Sequence, residues 1–440
     1  MRGGYGLFYQ ITIRGAAGTG GGGFQSFDRV TNWITTYHND GATPFGRLSD
    51  PFPPAPGLPT GSALGGLSFV GEGVSGPTRF LNATPYEQTW SFGFQRELAG
   101  GILIDANYVG KKGTKLYFGG AGEYNHLGPE IEHYNAAQIE DLNTQVPNPF
   151  FGLVPATASL GGEVVNKSQL LLPFPQFTSF STIAFPVANS IYHAFQLRVE
   201  KRFSHGLQFL ATYTNSKSID DASVTHGGTT WLGGSTSLQD PNNRKLERSL
   251  SQYDIPQVLG FSYVYELPIG KGKAIGANWH PVLNMIAGGW RTNAIWRFSA
   301  GQPLGLGLSG GTSLPTYGSQ RPNLTGTLLK TTNADFLTQY FANPEVAVKP
   351  ERWTLGTAPR VVGTVRTPGI NNANMSLFKE FPLSAIREEM KLQLRAEFFN
   401  AFNHPTFCGP DTTVGGGSFG QVQSTCGPAR EVQMALKFYW

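Results

Sequence analysis

The chain has 440 residues, a formal net charge of +4 and 14% charged residues, against about 25% in an average soluble domain. Its 57 glycines and 30 prolines break every run that could build a coiled coil or helical bundle. The 12% aromatic content and low net charge argue against intrinsic disorder. Lysine and arginine, 33 together, are scattered rather than grouped into a basic stripe, so nucleic acid is not an expected partner.

No stretch of about 18 apolar residues occurs, so no transmembrane helix is expected. The opening Met1-Arg2-Gly3-Gly4-Tyr5 lacks the charged-then-apolar pattern of an export signal. What remains is a β-rich chain with long polar loops.

Along the chain, about ten segments alternate apolar and polar residues with the period of two that a strand imposes. The first are 3–12 (Tyr5, Leu7, Tyr9), 88–97 (Trp90, Phe92, Phe94) and 102–110 (Ile102, Ile104, Ala106, Tyr108). In 195–203, Phe195, Leu197, Val199 and Phe203 oppose Gln196, Arg198, Glu200 and Arg202. After Ser204-His205-Gly206 the pattern resumes, with Leu207, Phe209, Ala211 and Tyr213 opposite Gln208, Thr212 and Thr214. Segments 257–267, 288–300 (Trp290, Ala294, Trp296, Phe298) and 372–380 follow. The clearest is 390–398, where Met390, Leu392, Leu394, Ala396 and Phe398 oppose Lys391, Gln393, Arg395 and Glu397. The last strand places Val432, Met434, Leu436, Phe438 and Trp440 on one face. Two short helices are predicted in the loops, at Asn135–Asn143 and Asp335–Ala342. The tract from Gly18 to Gly23 reads as flexible loop.

Segments of about ten residues exceed the usual globular strand and match the roughly 9–11 that a tilted strand needs to cross a bilayer. Alternation alone does not say whether the apolar face turns inward or into lipid. The connections do: each long one is followed by a shorter one, as in outer-membrane barrels with short periplasmic turns and long outer loops. The expected fold is therefore all-β, an antiparallel transmembrane β-barrel with long extracellular loops. The competing expectation is a soluble secreted β-rich glycan-binding module or enzyme with its apolar faces inside.

No catalytic constellation is legible, and neither an enzyme activity nor a cofactor is expected. H-E-x-x-H and G-x-S-x-G are absent; Gly270-Lys271-Gly272-Lys273 lacks the spacing of a phosphate loop and reads as a cationic turn. Asp240, Asn242 and Asn243 lack the glycine and glutamate of an EF-hand and read as a polar turn. The predicted lumen face carries Arg198, Glu200, Arg202, Arg395 and Glu397, which either grip a substrate or line a wetted wall. Trp231 either stacks on a ligand or anchors its loop.

Several stretches resemble bacterial TonB-dependent outer-membrane receptors of the Oar-like type. They are Arg2 to Tyr9 (RGGYGLFY), Pro85 to Leu98 (PYEQTWSFGFQREL), Tyr108 to Leu116 (YVGKKGTKL), Ser216 to Asp221 (SKSIDD), Asp240 to Glu247 (DPNNRKLE) and Arg395 to Phe407 (RAEFFNAFNHPTF). Each is modest alone; their order and spacing across nearly the whole chain are more specific. The resemblance implies a barrel of about 22 strands, of which residues 1–440 match the C-terminal part, without plug, signal peptide or TonB-contacting segment. It further implies bacterial outer-membrane lipid as surroundings, uptake or binding of an unidentified ligand, and TonB as partner only through a plug this sequence lacks. An incomplete gene, or a start called inside a longer one, is the corresponding expectation; the alternative is that the ten strands close as a small barrel.

Outer-membrane proteins of that type end in an alternating strand with a terminal aromatic, read by the barrel-assembly machinery through strand pairing. Val432, Met434, Leu436, Phe438 and Trp440 fit that signal, although the family more often ends in Phe. Cys408 and Cys426 bracket the last long loop and either form a bridge, in an oxidising compartment, or stay unpaired.

Overall fold

A computed structural model of the chain describes residues 1–9, 42–43, 49, 61–63, 65, 67, 70–76, 83–118, 124–154, 158–182, 185–222, 238–332, 335–383, 387 and 389–440. Trp231 and the glycine tract 18–23 lie outside the described residues.

Ten long strands form one antiparallel sheet, each paired to its neighbours in chain order. They are β1 (Arg2–Tyr9), β2 (Tyr86–Leu98), β3 (Ile102–Phe118), β4 (Phe185–Ser204), β5 (Leu207–Asp220), β6 (Gln257–Glu266), β7 (Trp290–Ser299), β8 (Ile370–Pro382), β9 (Lys391–Phe399) and β10 (Glu431–Tyr439). A two-residue strand, Ser249–Leu250, adds to the far end of β5. The strand ends joined by the short connections 99–101, 205–206, 267–289 and 383–390 are all at one end of the sheet; those joined by 10–85, 119–184, 221–256, 300–369 and 400–430 are at the other. The tightest short turn uses His205 (φ 52°) and Gly206 (φ 77°), both left-handed, which matches the twist of the flanking strands.

Pairing register fixes the two faces. Phe261 opposes Trp296, Trp296 opposes Ala373, and Leu394 opposes Leu436, so the apolar alternation of each strand merges into one continuous apolar surface. That surface is exposed: Phe92 is 59%, Phe195 45% and Met434 66% accessible. Among the described residues, the buried apolar side chains on the ten strands are small ones, Pro186, Ala188, Ala194, Ala294 and Ala373. A soluble sandwich buries large apolar side chains between two sheets; here one sheet turns them out, and the soluble alternative falls. The sheet is also open, with β1 and β10 as its two edges.

Three strands run longer than their alternation predicts, to 17 residues in β3, 20 in β4 and 14 in β5. Their extensions carry Lys111, Lys112, Ser190, Tyr192, Ser216 and Ser218, and the ladder continues through Lys111↔Tyr192 and Tyr192↔Ser218. In these extensions the apolar rhythm stops while backbone pairing continues, and loop residues pack against them, burying Ala188 and Leu238 beside Leu116 and Val187.

The predicted helix at Asn135–Asn143 forms as α1 (Ala136–Leu142), where Asn135 accepts from the Gln138 N–H and Gln138 reciprocates; a single helical turn, α2 (Lys167–Leu170), follows in the same connection. The predicted helix at Asp335–Ala342 is corrected. Its described residues make a turn, in which the Tyr340 N–H donates to Gly420 and the Ala342 N–H to Leu329. Pairing with neighbouring loops, with Tyr340 and Phe341 driven into a core, overrides the local helical spacing.

Candidate functional site: the polar face of the sheet

On the face opposite the apolar surface lies a cavity of about 520 Å³. Its lining reaches from Arg198 on β4 through Gln208, Ser262, Asn293 and Asn374 to Arg395 on β9. Six adjacent strands spaced about 4.8 Å apart meet one cavity only if the sheet curls around it, so this is the concave side.

Four of the five predicted lumen charges, Arg198, Glu200, Arg395 and Glu397, line this cavity together. Period-two geometry explains their pairing, because residues two apart on a strand share a face. Arg198 Nη2 lies 2.6 Å from Glu200 Oε2, and Arg395 Nε lies 2.9 Å from Glu397 Oε1, the second pair without an aligned hydrogen bond. Arg395 also stacks over the Phe378 ring at 5.5 Å. Arg202 stands apart from the cavity, 3.9 Å from Glu97, with both side chains well exposed. The Ser376 hydroxyl and Asn293 amide bond across β7 and β8. Apolar side chains on the polar face, Leu210, Val264 and Ile295, also line it and were not legible; Ile295 is 68% exposed. The only signal for Ile295 was its odd position among Trp290, Ala294, Trp296 and Phe298, which place the apolar face on even positions.

A single sheet with an apolar exterior, a polar groove and alternating connections is what a chain needs to span lipid, where every backbone group must be paired internally. The protein-family model for the outer membrane beta-barrel domain matches residues 1–433. The chain belongs to this outer-membrane β-barrel family. Its location is accordingly the bacterial outer membrane. Comparison with curated proteins found no match.

Among solved structures, the barrel is similar to the outer membrane transporter YddB from Escherichia coli (TM-score 0.37, 11% identity, 83% of this chain and 34% of that one). It is also similar to the ferric-catecholate import receptor Fiu from E. coli K12 (0.34, 11%, 83% and 30%) and to the FrpB iron transporter from Neisseria meningitidis (0.34, 10%, 83% and 32%). The chain spans about a third of the length of these proteins.

Above the outer-membrane barrel, the long connections pack on one another. One cluster gathers Leu304, Leu328, Tyr340, Phe341, Val365 and Val414; a second gathers Leu127, Ile131, Ile139, Leu142, Leu314 and Tyr317. Tyr317 donates to Glu132 and accepts from the Asn242 amide, and burial, reinforced by Glu132, pushes its phenol well above the usual range. Asn242 thus belongs to a polar turn, its N–H held by Asp240. Three arginines of 300–369 tie this cap to the strand ends. Arg321 pairs with Glu247, Arg360 with Asp220 and Arg366 with Asp254, and Glu247 is fully buried.

Cys408 and Cys426 are joined, Cα atoms 5.0 Å apart, at the base of the last loop. Asp411, inside that loop, accepts from the Ser418 hydroxyl and the Thr413 N–H, which hold its carboxyl below the usual range. Val432, Met434, Leu436, Phe438 and Trp440 lie on the lipid side of the β10 edge, 45–79% exposed, with the Phe438 and Trp440 rings stacked.

Proposed function

We propose that this protein is the ligand-handling barrel of an outer-membrane receptor or transporter of the TonB-dependent, Oar-like type. The observation that carries it is the open ten-stranded sheet wrapped around a polar groove under a cap of packed loops. An open edge leaves rows of N–H and C=O groups unpaired, which hydrocarbon does not tolerate, so β1 and β10 call for further strands. We read the ten strands as part of a wider barrel and the long loops as extracellular. Any TonB contact belongs to a plug outside these residues. Arg198–Glu200 and Arg395–Glu397 neutralise each other, which supports lining of a wetted wall rather than direct ligand grip. Ligand choice then rests on the neutral groups of the groove and on the loops. The family supports a non-enzymatic role.

Delivery follows the same logic. The terminal strand, with Val432, Met434, Leu436, Phe438 and Trp440 along one face, suits recognition by strand addition at the barrel-assembly machinery. Passage through the oxidising periplasm would close Cys408–Cys426.

An antibody raised against 300–369, used on fractionated membranes of the native host, tests the reading. A heat-modifiable outer-membrane polypeptide much longer than 440 residues is expected. A 440-residue product in a soluble fraction overturns it.

A further inference from the structure

The short-turn side of the sheet carries one element that neither the groove nor the cap uses. Connection 267–289 holds α3 (Pro281–Ala287) at its end, next to β7. The helix is inside out. Val282, Leu283, Met285 and Ile286 are 55, 46, 56 and 64% exposed, and no residue of the helix is buried. Its one polar side chain, Asn284, turns inward instead and accepts from the Lys271 N–H at 2.6 Å.

Side-chain donors close the end of the helix. Lys379, only 5% exposed, donates to the Asn284 carbonyl at 3.1 Å and to the Gly288 carbonyl. The Trp290 indole N–H donates to the Ile286 carbonyl at 3.0 Å. A solvated helix end leaves such carbonyls to water; closing them with side-chain donors, one of them the buried Lys379, suits a place where water is scarce. Both donors belong to the lipid face. Trp290 opposes Lys379, and Lys379 opposes Leu394, which opposes Leu436. The apolar side of α3 is therefore continuous with the apolar surface of the barrel. Lys379 Nζ also lies 5.3 Å from the Phe381 ring and 5.9 Å from the Trp290 ring, aromatics of the kind that settle at a membrane boundary.

We propose that α3 is a membrane anchor lying in the bilayer interface on the short-turn side, with Leu283, Met285 and Ile286 immersed at the boundary between phospholipid headgroups and acyl chains. Its occupant is phospholipid, as expected for an apolar helix face contiguous with a lipid-facing surface. The anchor would fix how deep the short-turn end of the sheet sits. This inference rests on the lipid-facing assignment of the Leu394–Leu436 surface.

Because Cys408 and Cys426 are bonded to each other, an introduced cysteine is the one free thiol. Ile286→Cys, Phe151→Cys in a long loop and Leu436→Cys on the lipid face start from comparable exposures of 64, 51 and 65%. Each is labelled with an environment-sensitive fluorophore and placed in phosphatidylcholine–phosphatidylglycerol vesicles containing lipids spin-labelled at a shallow or a deep acyl position. The Ile286 probe should be quenched several-fold more by the shallow label than by the deep one. The Phe151 probe should be unaffected, and the Leu436 probe quenched. An Ile286 probe that behaves like Phe151 while Leu436 is quenched overturns the anchor. So does one that is blue-shifted but unquenched, which points to a protein partner. If Leu436 is unquenched as well, the lipid-face assignment itself has failed.

Discussion

The sheet and the cap of loops above it solve opposite problems with the same residue types. On the ten strands large apolar side chains point outward and the buried apolar ones are alanines and Pro186; in the loops Leu328, Tyr340 and Phe341 are fully or almost fully buried. Charges follow suit, paired along an open groove at Arg198–Glu200 but sealed inside the cap at Arg321–Glu247. The difference teaches that burial is set by the surrounding solvent. Lipid stabilises an apolar exterior that water would penalise, so a conventional hydrophobic core is needed only where the chain leaves the membrane.

The largest contrast should come from truncating matched aromatics. Phe341→Ala is expected to destabilise the cap by about 3–5 kcal/mol, whereas Phe438→Ala on the lipid face, which opens no packed core, should cost much less. Denaturant unfolding in lipid vesicles, followed by protection of the loops from protease, separates the two.

Removing a buried charge partner should act on a similar scale. Arg321→Ala strands the fully buried Glu247 carboxylate and is expected to cost about 3–5 kcal/mol. Adding Glu247→Gln to it should recover much of the loss. A pair of variants in which the second change makes matters worse would contradict the buried-pair account.

Reversing the solvent logic on the sheet is the next test. Leu394→Arg, facing lipid, should cost about 2–4 kcal/mol, and Gln393→Arg far less. Gln393 already bonds the Glu380 carboxylate from the groove side, where a cation is welcome. Equal costs in vesicle unfolding would mean the faces are exchanged.

The disulfide should matter to its own loop alone. Cys408→Ser with Cys426→Ser is expected to lose at most about 3 kcal/mol of loop-closure stabilisation. In the parent protein, alkylation of the denatured but unreduced chain should modify neither thiol.

The smallest effect concerns pH. Because the Asp411 carboxyl is held below its ordinary range by Ser418 and Thr413, its contribution is complete above that range. It fades as pH falls through and beneath the usual aspartate value of about 3.9. Protection of the 411–421 amides relative to their intrinsic exchange rates should be high at neutral pH and fall only in that acidic window, while amides of β9 and β10 stay protected.

The sequence by itself determined the sheet. Alternation at Leu392–Phe398 and Val432–Phe438 marked strands, their faces and the short-turn end, because a period of two leaves no other arrangement for a paired backbone. It also placed Arg198, Glu200, Arg395 and Glu397 on one side, since that needs only counting by twos. Tertiary structure alone decided three things. The upper parts of β3, β4 and β5 have no apolar rhythm to read, because their partners are loop residues far away in the chain, such as Leu238 beside Ala188 and Arg360 on Asp220. The turn at Asp335–Ala342 and the pairing of Arg321, Arg360 and Arg366 with Glu247, Asp220 and Asp254 join residues far apart in the chain. And α3 turns its apolar side outward because Lys379 and Trp290, brought to its end by the sheet register, close the carbonyls that water would otherwise hold.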